Sequence, residues 1–205
     1  MGPASPPTRR TQRERREHTE SALLTAAAEL VVERGVLAVT LANVAERAGY
    51  SRGIVTHQFG TKGAMLRALA HASQAGFVPG LTDVPPGADR LLRIIDGYLG
   101  QLADIAVMNR AFLVLWAESA TTPELTPIFR ERDAAFRADL RADVEAAIAE
   151  GAVRADLDPT DVAVGVAGQL RGIALQYFLD PDAVDPDHLR ESVSGYWRRA
   201  LGITS

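Results

Sequence analysis

The run 40-TLANVAERAGYSRGIVTHQFGTK-62 limits what this chain can fold into more than any other stretch, because two helix starts follow each other across a single glycine. Thr40 and Ser51 are residue types whose side chains accept a hydrogen bond from an unpaired N–H in a first helical turn. Between them, Ala45 is small enough for a second helix to cross close by, and Gly49 tolerates the positive φ of a tight turn. Val44 and Val55 then supply the apolar seam. These are the requirements of a helix-turn-helix, in which two short helices cross steeply over a turn of about three or four residues. The glycine re-aims the second helix, so that Ser51, Arg52, Gly53, Thr56, His57 and Gln58 make a polar face directed outward.

Helical signals dominate the rest of the chain. Leu23, Ala26, Ala27, Leu30 and Val31 recur at helical spacing within residues 14–34, and Gly35 stops that helix. Another helix starts near Lys62, carries Met65, Leu66, Leu69 and Ala70, and fades before 76-GFVPGLTDVPPG-87, a loop by its glycines and prolines. Further helices are expected over 88–106, 109–119, 127–150, 159–179 and 186–201. Thr126-Pro127, Asp158-Pro159 and Asp185-Pro186 each set a capping side chain before a proline at the first helical position, where the missing N–H costs nothing. Strand signals are almost absent. The expected fold class is therefore all-α, with an N-terminal three-helix domain holding the helix-turn-helix and a C-terminal helical domain, about nine helices in all. The expected division is a disordered basic arm over 1–13, then 14–66, then 67–205.

Charge is divided along the same line. Residues 1–70 hold ten Lys and Arg against six Asp and Glu, whereas residues 71–205 hold twelve against twenty. That suits a polyanionic partner for the first part alone, although a solvated charged face has the same composition. With no cysteine there is neither a disulfide nor a cysteine metal site, and no metal or cofactor is expected. His18, His57, His71 and His188 are scattered singly, and no metalloprotease, nucleophile-elbow or phosphate-loop motif occurs, so no enzyme is expected. No apolar run approaches the roughly 18 uncharged residues of a membrane span and no apolar stretch follows the basic start, which leads to the expectation of a cytoplasmic protein without a membrane partner.

Protruding residues at the start of a second motif helix can reach base edges in a major groove, where Arg suits guanine, Gln adenine, and Thr a thymine methyl or a phosphate. The stretch from Thr40 through 51-SRGIVTHQFGTKGAML-66, with a helix of about twenty residues before it, resembles the DNA-binding domain of the tetracycline-repressor (TetR) family over roughly residues 14–66. The resemblance implies an all-helical homodimer that binds a near-palindromic double-stranded operator, represses transcription, and leaves DNA when a small-molecule effector enters the second domain. It implies that Thr40 caps the first motif helix against a phosphate and that Ser51, Arg52 and Gly53 face DNA. Thr56 and His57 stand where many members carry aromatic residues, a departure that shifts reliance onto Arg52 and Gln58. Phe59 matches the family's buried aromatic. Lys62 is expected on a phosphate for a separate reason: it is the only lysine beside 21 arginines, at a helix start whose unpaired N–H groups favour an anion. An activator or dual regulator on the same fold, or a helical interaction module without DNA binding, are the alternative functions.

For the effector, Met108, Phe112, Leu115 and Trp116 recur at helical spacing with Glu118 nearby, and Gln169 and Arg171 are rare polar residues on an apolar helix. A mostly apolar pocket with a few polar anchors has this composition, and so does an ordinary core. The expected effector is lipophilic or amphipathic, with a carboxylate facing Arg171. Helix 159–179 also holds Gly165, Gly168 and Gly172, each costing about 1 kcal/mol relative to Ala unless close approach of another helix offsets it. By the resemblance, this helix and 186–201 pair across the homodimer, and Leu170, Ala174, Tyr177, Leu189, Val193, Tyr196 and Trp197 are the candidate interface, though an intrachain core uses the same residues.

Overall fold

One long helix followed by three short, individually capped ones builds the N-terminal part. The computed structural model describes residues 12–73, 78, 80–81, 83–104 and 106–203. Helix α1 (Gln12–Arg34) ends at Gly35, and a single 3₁₀ turn over Val36–Ala38, absent from the sequence reading, leads into α2 (Leu41–Ala48). Thr40 caps α2 by accepting from the Asn43 N–H at 3.1 Å. Gly49 closes it in the left-handed region at φ 72°, and the Tyr50 N–H donates back to the Ala45 carbonyl at 2.9 Å. Ser51 then caps α3 (Arg52–Phe59), and Thr61 caps α4 (Lys62–Ala72) through the Ala64 N–H at 3.1 Å. Residue 66, the expected boundary, lies inside α4.

Five longer helices follow: α5 (Ala88–Gly100), α6 (Val107–Glu118), α7 (Thr126–Ala149), α8 (Pro159–Leu179) and α9 (Pro186–Leu201), and there is no strand among the described residues. Asp158 and Asp185 cap α8 and α9 as their prolines announce, each accepting from two N–H groups. Thr126 does not cap α7. It is itself helical, and its hydroxyl instead donates to the Ser119 carbonyl at 2.6 Å, tying the start of α7 to the end of α6. Helix α5 stops at Gly100, short of the expected 106, and residues 101–104 form turns before α6.

The packing order explains where the core sits. Helix α1 packs on α2 and α4 and also lies along α6, so that one helix belongs to both parts of the molecule. Helix α7 packs on α8, and α5 on α9 and α7. Leu23, Leu30, Met65 and Leu69 are fully buried at one end, and Leu91, Ile95, Leu113 and Phe129 at the other. Helix α8 is the one described helix whose length and composition would also let it cross a membrane. Its Arg171 is buried in an ion pair and its apolar side packs on α7, which makes it the core helix of a folded domain. Arg9 and Arg10 of the expected arm lie outside the described residues, while Arg13, Arg15 and Arg16 are exposed on the first turns of α1, where Arg13 pairs with Glu17 at 2.8 Å.

Candidate nucleic-acid interface and ligand cavity

Val55 is fully buried against Val44 and Ala45, and this fixes the rotation of α3. Its opposite side is thereby turned to solvent: Ser51, Arg52, Gly53, Thr56 and His57 are all exposed. Ile54 is exposed among them, an apolar residue on the polar ridge that the sequence reading passed over. Its position just before Val55 was the available signal, since the residue preceding a buried one lies well around a helix. Gln58 departs from expectation. It is half-buried, and its amide donates to the Glu20 carboxylate of α1 at 2.7 Å, so it braces the motif helix. Phe59 is partly buried against the core, as expected.

Thr40 is exposed at the start of α2. Lys62 is half-buried, and its ammonium donates to the Val36 carbonyl at 3.0 Å. One of three N–H donors is thus held by the protein while the others remain at the first turn of α4. Helix α2 is locked on α1 by Arg47, which bonds Glu29 at 3.2 Å and also pairs with Glu33. The Arg47 hydrogen bond holds the Glu33 carboxyl below its ordinary value.

A second site lies among α5, α6, α7 and α8. A cavity of about 240 Å³ is lined by Val78, Leu81, Arg90, Ile94, Tyr98, Phe112, Arg132, Phe136, Asp139 and Arg171. Only Phe112 and Arg171 of the expected pocket residues line it. Leu115 is fully buried in the core, Met108 packs against the core away from the cavity, and Glu118 is exposed beside Val114 and Leu175 on the surface. Trp116 stands behind Arg171 and faces a separate depression with Asp133. The sequence reading missed Arg90, Ile94 and Tyr98, which share a face of α5, and Arg132, Phe136 and Asp139, which share a face of α7. Charged residues repeating on a face that must turn inward were the signal.

Two ion pairs, each with one buried partner, support this cavity. Arg171 is buried, bonds Asp133 at 2.7 Å, and places its guanidinium 4.7 Å from the Trp116 ring centre and 5.5 Å from that of Phe136. Asp133 also accepts from the Trp116 indole N–H at 3.1 Å. Arg90 donates at 2.8 Å to Asp143, whose same oxygen accepts the Gly87 N–H at 3.2 Å. The other Asp143 oxygen, Oδ2, is buried without a hydrogen-bond partner. Burial pushes the Asp143 carboxyl above its ordinary value, against the lowering by Arg90 and Gly87.

The expected dimer residues mostly face inward. Leu170, Ala174, Val193 and Trp197 are buried within the chain, Tyr177 and Leu189 are partly buried, and only Tyr196 is exposed. Gly165 has an intrachain reason: a Cβ there would come 3.2 Å from the Trp197 ring, whose N–H donates to Gln169 at 2.6 Å. Around Gly168 and Gly172 the space is open.

An outward polar ridge on a helix-turn-helix, carried by an all-helical body with a cavity between its helices, defines a DNA-binding regulator of the helix-turn-helix class. The description of bacterial regulatory proteins of the tetR family matches residues 23–69, and that of the BetI-type transcriptional repressor C-terminal domain matches residues 86–202. The chain belongs to the TetR family of transcriptional regulators, with a C-terminal part of the BetI type. It is 27% identical over 184 residues to the HTH-type transcriptional regulator BetI of Vibrio campbellii, covering 85% of this chain and 88% of that protein. Its fold matches a TetR-family regulator of Rhodococcus with a TM-score of 0.74 at 21% identity, covering 90% of this chain and 99% of that one. A regulator of Saccharomonospora viridis solved with choline matches with a TM-score of 0.73 at 19% identity, over 88% of this chain and 95% of that one.

Proposed function

We propose that the protein is a homodimeric transcriptional repressor that leaves its operator when a small molecule enters the α5–α8 cavity. One observation carries the DNA-binding half: burial of Val55 leaves Ser51, Arg52, Gly53, Thr56 and His57 exposed together on α3. In this reading Arg52 contacts a guanine edge, Ile54 a thymine methyl, Thr56 and His57 bases or backbone, and Thr40 and Lys62 phosphates. Residues 14–66 are the reading part and 67–205 the effector and dimer part.

The homodimer reading is supported by an apolar surface that no other described residue covers. Val164 is 52% exposed and Leu179 86% on α8, Gly168 and Gly172 lie open between them, and Tyr196 of α9 is 52% exposed. A second copy laid across this strip would give the open glycines the close helix approach that offsets their cost. It would also set two α3 ridges on one face of a duplex.

Selecting bound sequences from random duplexes with the purified protein, then screening small molecules for release, tests the whole reading. The expected site is a near-palindrome with half-sites about 34–36 Å apart or somewhat more. A strictly monomeric protein that ignores every duplex at low salt would end this proposal.

A further inference from the structure

Resting on the reading of the α5–α8 cavity as the effector site, we infer that it takes a small anionic amphiphile, such as a medium-chain or aryl carboxylate, and not an organic cation. Among the described residues three guanidinium groups line the cavity, from Arg90, Arg132 and Arg171, against one lining carboxylate, Asp139, with Asp143 and Asp133 paired behind Arg90 and Arg171. Arg171 bonds Asp133 through one terminal nitrogen, and Arg90 bonds Asp143 through one terminal nitrogen, among the described residues. A guanidinium has five N–H donors and no acceptor, so the lining is rich in donors and poor in acceptors. Partly buried donors gain most from a ligand that brings acceptor oxygens, and charge-assisted bonds from arginine to a carboxylate are the strong ones. Asp139 is exposed, where water and salt screen its repulsion of an anion.

The place for a cation is already filled. An organic cation gains its affinity over aromatic faces, and here the Arg171 guanidinium itself covers Trp116 and Phe136. A ligand cation would meet that fixed positive charge at short range in a partly desolvated site. The apolar end of an amphiphile has its own bed in Ile94 and Phe112, with Val78 closing one side. Val78 comes this near because position 97 is glycine: a Cβ there would stand 2.7 Å from the Val78 side chain. A volume of about 240 Å³ is below the roughly 300–1,000 Å³ of drug-sized pockets, which keeps the ligand small.

Calorimetric titration of the DNA-free, full-length protein with octanoate, 1-octanol and octyltrimethylammonium, all as monomers in solution, separates charge from chain length. Octanoate is expected to bind about tenfold or more tightly than either of the others. Equal or tighter binding of the cation overturns the inference, and so does failure of all three to bind. Arg171→Gln should remove most of the octanoate preference while leaving 1-octanol binding largely unchanged; a preference that survives in the folded variant overturns the inference. Should the variant fail to fold, the three-ligand comparison on the unaltered protein still decides. Octanoate that binds but leaves the selected duplex attached sinks the effector reading and keeps the ligand class, whereas absent binding by a protein that still grips DNA sinks the ligand class alone.

Discussion

The two ends of the molecule use charged and polar side chains in opposite ways. In α2–α4 every helix start is capped by the side chain just before it, Thr40, Ser51 or Thr61, and the polar residues of the motif face outward. In α5–α7 no side chain caps a helix start, and the charges that matter turn inward to pair across helices, Arg90 of α5 with Asp143 of α7, and Asp133 of α7 with Arg171 of α8. A local device leaves side chains free for a partner, while an inward pair makes the charge part of the packing. The first end should therefore lose binding when altered, and the second should lose stability.

The largest effect belongs to Asp143→Ala, which leaves Arg90 without its buried partner and should lower unfolding stability by about 3 kcal/mol, near the lower end for broken buried pairs because Arg90 is partly exposed. Chemical denaturation measures it, and a change under about 1 kcal/mol would erase the contrast. Burial acts on Asp143 in the opposite sense to the pair: it makes ionisation of the carboxyl costly, so stability falls as pH rises from the ordinary carboxylate pKa through the raised folded value. Next comes Arg52→Ala, expected to weaken operator binding by about 1–3 kcal/mol and to leave stability within about 0.5 kcal/mol. Fluorescence anisotropy and a melt on the same sample check both halves; a melt that drops with the affinity would mean that the ridge is also structural. Lys62→Ala sharpens the comparison, since Lys62 faces both ways. Loss of its bond to the Val36 carbonyl should cost about 1 kcal/mol of stability, and the salt dependence of DNA binding should flatten by about one unit. An unchanged salt slope removes it from the phosphate contacts. The smallest effect is expected for Asp96→Asn on α5, whose carboxyl Arg190 of α9 holds below its ordinary value. Both groups are well exposed, so screening limits the cost at neutral pH to under about 1 kcal/mol. That stability is present above the ordinary carboxylate range and should vanish as pH falls through the lowered value; a gap that persists in acid would point to packing instead.

The same contrast explains what could be read from the sequence. Thr40, Ala45, Gly49, Ser51 and Val55 act over short stretches of chain, so their types and spacing together make the motif legible, and Asp158 and Asp185 announce α8 and α9 equally well. Arg171 with Asp133, and Arg90 with Asp143, meet only once the helices have packed, and no local pattern joins them. The stripe of Met108, Phe112, Leu115 and Trp116 was legible as an inward face, yet not which side of α6 meets the cavity and which meets α1. The bond made by Gln58 was hidden for the same reason, because Glu20 approaches it from a helix far back in the chain.

Helix α1 stands across the division just drawn, seated on α2 and α4 at one side and on α6 at the other. Swapping recognition modules between relatives by splicing at the end of α4 would therefore bring in a foreign α1 and mismatch its seat on α6. A working chimera would need the α6 surface recut to suit the donor, and transplanting only the exposed residues of α3 is the less disruptive route to a new operator preference.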